Sequence, residues 1–504
     1  MIENDIENLL AYGREKFALS PEDEMFARNE LIALFGLDQP AEHCFDACSL
    51  SPAEVLRPLV AYAIEKGMIS AEESTLFDTL LMGVVLPAPS AVIDRFRRDS
   101  RNLGVREALK NFYRTCIDSN YIRMADVSRN IVWEAPTEKG NLVITINLSK
   151  PEKDNREIAR LKNLPQSGYP KCMLCFENIG YRGRLNFPAR QTLRFVPVTL
   201  DGEQWYLQYS PYVYFNEHCI VFSREHKPMV MDESTFRKLI DFVDTFPCYF
   251  IGSNACLPIV GGSILSHEHF QGGGYEMPMH RCGIRKAFLS PVKDVRIGIL
   301  DWFNSVVEIA SEDRFKALEC AERVRAAWSG YTDESVGILA ETDAPHNAIT
   351  PIVRKRGATY IIDLILRNNR TDATYPEGIF HAHPEHHNIK KEGIGLIEAM
   401  GVFILPGRLQ RQCAEMAEIL SGGLPYEPES LKDAEHPLCV HRHMLAALAE
   451  KLGCGLTRET AEAEIRAYID RTCADILRDT AVFKETPEGQ AAFAAFLRSC
   501  GCGE

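Results

Sequence analysis

The sequence lacks any long apolar run. No stretch of its 504 residues approaches the roughly 20 apolar residues that a membrane-spanning helix needs. The opening segment Met1–Glu7 is acidic and lacks the basic-then-apolar pattern of a signal peptide. We therefore expect a cytoplasmic protein that does not act on a membrane.

Basic residues are in deficit as well. The chain has 56 Lys and Arg against 70 Asp and Glu, for a formal net charge of -14. Such a balance argues against a large nucleic-acid surface, since phosphate contacts need clustered cations. Any anionic substrate must then meet a local basic patch.

The 16 cysteines show no disulfide framework. They are scattered, mostly singly, and often lie in apolar runs such as 246–250. This usage is typical of buried thiols in a reducing cytoplasm. We expect the tail Cys500-Gly501-Cys502-Gly503 to be frayed.

Chain length and the pattern of apolar residues predict an α+β protein with several domains. At about 150 residues per domain, 504 residues suggest two to four of them. Residues 1–125 and 421–504 have helical spacing, and the first region is expected to serve packing or dimerisation. Between them, 126–290 and 291–420 combine strand-like runs with helices. In 126–290 an amphipathic helix is predicted over Glu233–Phe246, in a mainly antiparallel sheet unit.

The most informative segment is Ser266–Gly274. If it is extended, His267, His269 and Gln271 share one face. One imidazole can attack phosphorus, the amide can hold a phosphoryl oxygen, and the second imidazole can bind a metal. Upstream, the backbone at Gly262 and Ser263 can approach a phosphate. The alternative is a half-buried strand with structurally satisfied histidines.

Cys172 and Cys175 form a Cys-x2-Cys pair, a spacing that lets two thiolates bind one tetrahedral ion. The same pair could be redox-active or two core thiols. A metal needs two further ligands, for which His226 and His267 are candidates. A zinc ion held in this way would position His269 without touching substrate.

Further candidates are basic or amide-bearing. Guanidinium groups bind phosphates bidentately, and three of them cluster in one loop: Arg182, Arg184 and Arg190. The alternative there is a salt-bridged loop. Lys391 lies in a second basic, glycine-containing turn. The dipeptide Asn216–Glu217 can bind a ribose or a base edge.

A second histidine cluster follows in 378–387. The segment Gly378–Pro384 looks like a degenerate copy of Gly262–His269 without the glutamine, so we expect no second active centre there. Its histidines either hold another ion or belong to a solvated turn. They are His381, His383, His386 and His387.

Seven stretches carry a family resemblance: 6–13, 171–178, 208–212, 216–220, 252–254, 257–273 and 346–351. Together they resemble galactose-1-phosphate uridylyltransferases, specifically the class II type of bacteria such as Firmicutes. The resemblance covers essentially the whole chain, and the block around His267 is its most specific part.

The resemblance implies two tandem histidine-triad-like units, at 126–290 and 291–420. It implies transfer of UMP from UDP-glucose to galactose 1-phosphate by double displacement, with glucose 1-phosphate and UDP-galactose as products. His269 would be the nucleophile, and Gln271 would hold the phosphoryl group. Zinc would be bound by Cys172, Cys175, His226 and His267. We expect a homodimer that functions in galactose metabolism.

The resemblance also implies finer contacts. A uridine-binding pair would fall on Asn216–Glu217, and a stretch closing over the ligand on Lys391–Leu396. Asn254 would join the substrate-binding residues. A second metal would lie near His381 and His383.

For that second metal, Glu276 and His346 are candidate further ligands. The family also has a better-known class I branch, and the resemblance to that branch fails at three positions. Glu268 replaces a proline, Glu217 an aspartate, and Leu396 a tyrosine.

The leading hypothesis is therefore a UDP-glucose–hexose-1-phosphate uridylyltransferase. One alternative is a related nucleotidyl hydrolase or phosphorylase, with water or phosphate as acceptor. The other is a zinc-stabilised nucleotide-sugar binding protein without turnover. The pairing of His269 with Gln271 argues against the last.

Overall fold

A computed structural model describes residues 2–42, 49–149, 167–262 and 264–504. The expected phosphate-binding residue Ser263 lies outside the described residues. The helices are α1 Ile2–Phe17, α2 Pro21–Phe35, α3 Pro52–Glu65, α4 Ser74–Val85, α5 Pro89–Asn102, α6 Val105–Asp118, α7 Met124–Val127, α8 Glu233–Thr245, α9 Arg314–Ser329, α10 Leu396–Ala399, α11 Arg408–Leu420, α12 Arg442–Leu452, α13 Arg458–Thr480 and α14 Pro487–Ser499.

The strands complete an α+β fold, as predicted. They are β1 Ile131–Thr137, β2 Gly140–Asn147, β3 Val196–Leu200, β4 Glu203–Tyr209, β5 Cys219–Ser223, β6 Phe250–Gly252, β7 His269–Gly273, β8 Ile284–Phe288, β9 Arg296–Leu300, β10 Val306–Ser311, β11 Asn347–Arg356, β12 Thr359–Asn368 and β13 Val402–Pro406.

The chain divides into two compact units. Unit 1 comprises Met1–Arg129, Lys153–Pro228 and Ser266–His269, counted over the described residues. Unit 2 comprises Asn130–Glu152, Met229–Leu265 and Phe270–Glu504. The division falls inside β7, after its first residue.

Unit 1 begins with helices whose ends are defined by capping residues in the local sequence. The Ser20 side chain caps α2 by accepting from the Asp23 N–H, and Gly36 ends that helix in the left-handed conformation, with φ of 64°. Ser51 and Glu54 form a capping box at α3. Helices α1–α4 bury a common apolar core, as the helical spacing predicts.

Unit 1 also holds the antiparallel strands β3, β4 and β5, in that order. Trp205 and Leu207 of β4 are fully buried. All residues from 205 to 209 are buried, so both faces of this part of β4 are covered. The next strand, β5, ends at Ser223, close in sequence to a predicted metal ligand.

Unit 2 holds a larger antiparallel sheet, in the order β7-β6-β11-β12-β10-β9-β8. A smaller sheet has the order β1-β2-β13, in which β13 pairs with β2 in parallel. The mainly antiparallel pairing agrees with the prediction. Close approach of β6 and β7 requires Gly272, because a Cβ there would lie 2.1 Å from the Phe250 carbonyl oxygen.

The predicted amphipathic helix after 232 is confirmed as α8. Asp232 caps it by accepting from the backbone N–H groups of Ser234 and Thr235. Its apolar stripe is buried, including Phe236 and Leu239. The helix therefore packs as its 3.6-residue period requires.

One expectation differs from the structure. The tail is not frayed: Cys500 and Cys502 are buried, and Gly503 exchanges two backbone hydrogen bonds of 2.9 Å with Leu289.

The proposed likeness of Gly378–Pro384 to Gly262–His269 stays a prediction. The first segment contains turns and no strand, and among the described residues of the second only His269 is in a strand.

Across the described residues, no single helix has both the length and the apolar character to cross a membrane. One pair of helices, Ala71–Val85 and Pro89–Asn102, meets those criteria only when taken together, and it is bent by 61°.

A buried ion pair in unit 1 gives a stability prediction. Arg28 donates to both carboxylate oxygens of Glu7, at 2.8 and 2.9 Å, and Glu7 is 1% exposed. Arg28→Met would leave Glu7 buried without its cation, so we expect a loss of about 3–5 kcal/mol in the free energy of unfolding. Denaturant titration of the full chain measures it.

The matched control is Arg14→Met. Arg14 pairs with Glu24 at 2.7 Å but is 35% exposed in its side chain, so we expect a loss below about 1 kcal/mol. Equal losses for the two variants would contradict the assigned role of burial.

Candidate active site and metal centre

Four predicted metal ligands converge in unit 1. Their ligand atoms all lie within 4.8 Å of one another, and within the described part of the chain they form the one group of three or more Cys, His, Asp or Glu side chains able to hold an ion. The group, hereafter the Cys/His cluster, is Cys172, Cys175, His226 and His267.

The spacing within the Cys/His cluster fits a tetrahedral ion. The Cys172 and Cys175 sulfurs are 3.6 Å apart. The Cys172 sulfur lies 3.2 Å from Nδ1 of His267, and the Cys175 sulfur lies 3.1 Å from Nδ1 of His226. A zinc ion with bonds of about 2.3 Å to sulfur and about 2.0 Å to nitrogen separates its ligand atoms by roughly 3.3–3.8 Å. The three observed distances lie within that range or about 0.2 Å below it, and two thiols with two imidazoles are a donor set that suits zinc.

A tight turn presents the two thiols. The Leu174 N–H points at the Cys172 sulfur, at 3.4 Å. The Asn178 amide donates to the carbonyl oxygens of Cys172 and Cys175, both at 2.8 Å. Asn178 therefore fixes the backbone of the turn and leaves both sulfurs directed at one point.

His267 is oriented by its second nitrogen. Its Nε2 lies 2.9 Å from the carbonyl oxygen of Ser223, at the end of β5. A carbonyl oxygen only accepts, so Nε2 carries the proton and Nδ1 presents its lone pair to the Cys/His cluster. Backbone bonds on either side hold this segment in place: Glu268 N–H donates to Lys227, and Ser223 N–H donates to Glu268. A backbone carbonyl bonded to the second ring nitrogen is typical of metal-binding histidines.

His269 is the first residue of β7, and its imidazole is neutral with one ring nitrogen left as an acceptor. Its Nδ1 lies 2.8 Å from the backbone carbonyl oxygen of His267, so Nδ1 carries the proton and Nε2 keeps its lone pair. The side chain is buried. Burial lowers the pKa of His269 to about 4, which keeps the ring uncharged at pH 7.

Gln271 follows on β7, in unit 2. It pairs in register with Gly252 of β6 and is partly exposed. It lies two positions after His269 along one strand, so the two side chains project from the same face. The predicted extended conformation is therefore confirmed from His269 to Gly273, whereas His267 lies in a bend before the strand.

In unit 2, Asn254 and Gly262 come together as a polar loop pair. The Asn254 Oδ1 accepts from the Leu396 N–H at 2.9 Å. A Cβ at Gly262 would lie 2.5 Å from the Asn254 amide nitrogen, so a side chain at that position would displace the Asn254 amide. The buried Asn254 thus joins the loop at 262 to the stretch that begins α10.

The three clustered arginines keep their charges available. None has a carboxylate partner among the described residues. Arg184 donates to the side-chain oxygens of Asn186 and Tyr181, both at 2.7 Å, while Arg182 is exposed. Arg190 reaches the Tyr121 hydroxyl at 3.4 Å, and its buried Nε has no partner in the described chain. The salt-bridged alternative is therefore not what the structure contains.

Asn216 and Glu217 differ in their surroundings. Asn216 is exposed, whereas Glu217 is 4% exposed and has a left-handed φ of 58°. Arg106 on α6 donates to both Glu217 carboxylate oxygens, at 2.6 and 3.2 Å. Glu217 is therefore neutralised by a cation about a hundred residues away, and sequence spacing gives no signal for that pairing.

Lys391 and the histidines of the second cluster have partners within unit 2. Lys391 forms an exposed ion pair with Glu377 at 3.1 Å. The His381 Nε2 accepts from the Ile394 N–H at 3.2 Å, so this ring supports the loop before α10. The His383 Nδ1 lies 3.3 Å from Asp479. The second metal at His381 and His383 stays a prediction.

The two further candidate ligands of the second metal, His346 and Glu276, also have side-chain partners. The Nδ1 of His346 lies 2.9 Å from the Asn369 side-chain oxygen. Glu276 accepts from Arg281 at 3.3 Å.

Sequence reasoning missed the residues that hold the site in shape. Asn178, Ser223 and Arg106 act through backbone or ion-pair contacts, and only Asn178 lies within a recognisable pattern, three residues after Cys175. The other two are distant in sequence from the groups they orient.

Comparison with known proteins identifies the family. The model of the N-terminal domain of galactose-1-phosphate uridyl transferase matches residues 18–228, and that of the C-terminal domain matches 242–434. The galactose-1-phosphate uridylyltransferase of Caldanaerobacter subterraneus subsp. tengcongensis is 46% identical, covering 98% of this chain and 97% of its own. That of Bacillus subtilis is 43% identical, with 98% and 97% covered.

A solved structure of a DUF4931 family protein from Bacillus cereus aligns with 34% of this chain and 85% of its own, at 13% identity and a TM-score of 0.26. So low a score supports no argument about this protein.

The matched relatives are enzymes that transfer a nucleotidyl group, and this chain is accordingly a nucleotidyltransferase. It belongs to the galactose-1-phosphate uridyl transferase family.

The Cys/His cluster gives a prediction about metal content. We expect purified protein to contain one zinc ion per chain and Cys175→Ser to lose it, because a serine hydroxyl is a poor substitute for a thiolate. Metal binding contributes folding free energy, so the melting temperature should fall together with activity. Elemental analysis and thermal unfolding measure the two effects.

Cys454→Ser is the control, since Cys454 is exposed and lies outside the cluster. Full activity in a protein that contains no bound metal would contradict the assignment.

Proposed function

We propose that this chain is a UDP-glucose–hexose-1-phosphate uridylyltransferase that moves UMP from UDP-glucose to galactose 1-phosphate through a uridylyl-histidine at His269. The observation that carries the proposal is the buried, neutral His269 ring, whose Nδ1 lies 2.8 Å from the His267 carbonyl oxygen. That hydrogen bond leaves Nε2 as the attacking atom.

In the first half-reaction the Nε2 lone pair of His269 attacks the α-phosphorus of UDP-glucose. The bond from that phosphorus to the bridging oxygen breaks, and glucose 1-phosphate leaves with the electron pair. A uridylyl group remains on Nε2. Because Nδ1–H donates to the His267 carbonyl, the positive charge that develops on the ring is stabilised by a fixed dipole.

In the second half-reaction a phosphate oxygen of galactose 1-phosphate attacks the same phosphorus. The bond to Nε2 breaks, UDP-galactose leaves, and the neutral ring is restored. A covalent route divides one difficult transfer into two easier ones and needs only one nucleotide site. Gln271, on the same face of β7, is assigned to hold a non-bridging phosphoryl oxygen.

Charge on the phosphates needs cations, which an acidic protein must supply locally. We assign this role to Arg182, Arg184 and Arg190, none of which has a carboxylate partner among the described residues. Asn216 and Glu217 are assigned to the nucleoside. In unit 2, substrate binding is assigned to Asn254, Gly262, Ser263 and Lys391.

A zinc ion held by Cys172, Cys175, His226 and His267 would supply structural cross-linking and no step of the transfer. Its consequence for catalysis would come through His267, whose backbone carbonyl orients His269. The homodimer and the cytoplasmic location stay predictions.

The nucleophile can be tested directly by mass spectrometry. After incubation with UDP-glucose alone, the intact chain should gain the mass of one uridylyl group, and His269→Ala should gain none. Activity of that variant should fall at least about a thousandfold, as is usual when a nucleophile is removed. His269→Gly should regain some turnover with free imidazole.

His443→Ala serves as the matched control, since His443 is an exposed histidine outside the site. An adduct of the same mass on His269→Ala would contradict the assignment of His269 as the nucleophile.

Kinetics test whether the two sugar phosphates share one site. Initial-rate plots at several fixed galactose 1-phosphate concentrations should be parallel, and labelled glucose 1-phosphate should exchange into UDP-glucose without galactose 1-phosphate. Both follow from a covalent intermediate. Intersecting plots without exchange would instead require direct transfer in a ternary complex.

A time course with UDP-glucose alone separates the transferase from the alternatives. The transferase should release about one equivalent of glucose 1-phosphate per site and then stop. Continued release would indicate a hydrolase, and no release would indicate a binding protein.

A further inference from the structure

Unit 2 contains a polar cavity whose residues have no part in the proposed reaction. Its volume is about 270 Å³, enough for several water molecules or one phosphoryl group with part of its ester. The wall includes the ends of β6, β7 and β11. Two tyrosines and a cysteine also line the cavity. Its other charged or titratable residues are Glu276, His280, Arg354, Lys355 and Arg356.

Arg354 is a buried cation with unused donors. It is 8% exposed, and its Nη2 lies 3.2 Å from Glu308 and 3.3 Å from Asp363. Its Nε and Nη1 are buried and have no hydrogen-bond partner in the described chain. A buried guanidinium N–H without an acceptor is costly, so these two nitrogens could bind an acceptor that enters the cavity.

The carboxylates beside Arg354 do not cancel the positive charge of the cavity. Burial, with repulsion from Asp363, raises the pKa of Glu308 to about 7, and burial also raises the pKa of Asp363. The two therefore carry fewer than two negative charges at neutral pH. Arg356, two residues along β11 on the same face as Arg354, has no carboxylate within ion-pair distance among the described residues.

The other titratable groups in the wall are accounted for. Lys355 projects to the opposite face, where its Nζ lies 3.0 Å from Asp244 and 4.1 Å from the centre of the Tyr360 ring. Glu276 is paired with Arg281. His280, by contrast, is 4% exposed and its buried Nε2 has no partner within the described residues.

We infer that this cavity binds a phosphoryl anion, either inorganic phosphate or the monoester group of a sugar phosphate, through Arg354, Arg356 and His280. Guanidinium groups match the oxygens of a phosphate bidentately. An imidazole nitrogen can donate to a third oxygen. The exposed Arg356 marks the side from which the anion enters.

The site is separate from the groups assigned to the transfer. Gly273 and Gly274 of its wall follow Gln271 along the chain. Strand geometry puts the Cα atom of Gly273 about 7 Å from that of Gln271. Phe250, also in the wall, pairs with Gly273. An anion bound here would contact the same two strands that carry Gln271 and its partner Gly252.

Equilibrium dialysis of labelled inorganic phosphate against the metal-loaded full chain tests the inference. Arg356→Gln should weaken one class of phosphate site about tenfold or more, and Arg356→Lys should weaken it less, because charge remains while bidentate geometry is lost. The control Arg323→Gln removes the same charge from an exposed position on α9 and should leave binding unchanged. KM for UDP-glucose should be the same in all four proteins.

Repeating the titration with glucose 1-phosphate distinguishes the two sources. Tighter binding of glucose 1-phosphate that depends on Arg356 would identify a sugar phosphate as the ligand, and tighter binding of phosphate would identify the free anion. Equal phosphate binding by Arg356→Gln and Arg323→Gln would overturn the inference. So would a raised KM for UDP-glucose in Arg356→Gln, since the cavity would then belong to the donor site.

Discussion

The hydrogen bond between His269 and the backbone of His267 is the contact on which the site depends. The Nδ1 of His269 lies 2.8 Å from the His267 carbonyl oxygen, and the ring of His267 lies in the Cys/His cluster. One residue therefore serves the metal centre with its side chain and the proposed nucleophile with its main chain. Any movement of the cluster would be transmitted to His269 through a single residue, so an ion bound there would affect His269 without contacting substrate.

The hydrogen bonds from the rings of His267 and His269 to backbone carbonyl oxygens fix which nitrogen of each imidazole carries the proton. A histidine free in water exchanges its proton between both nitrogens and titrates near neutrality. Here each ring has one nitrogen held by a backbone carbonyl, from Ser223 for His267 and from His267 for His269. Burial further disfavours the charged ring at His269. The result is one nitrogen with a defined direction, which suits either a metal ligand or a nucleophile.

Local features of the site were predictable from sequence, and distant partnerships were not. Alternation along β7 holds for His269 and Gln271, whereas His267 lies in a bend before the strand. The Cys-x2-Cys spacing identified two of the four cluster members. Capping and periodicity located α8. The pairing of Glu217 with Arg106 and the bond from Leu396 to Asn254 span more than a hundred residues, and no local pattern encodes them. The tail was mispredicted because its order comes from pairing with Leu289, a tertiary contact that overrides glycine-rich composition.

The tautomer of His269 is the most direct test of this account. Long-range proton–nitrogen correlation spectra of metal-loaded protein with ¹⁵N-labelled histidine, assigned by comparison with His269→Gln, report which ring nitrogen carries the proton. We expect His269 to have a protonated Nδ1 and an unprotonated Nε2 throughout the neutral pH range. A protonated Nε2 in the metal-loaded protein would leave no lone pair directed at the phosphorus and would contradict the central claim.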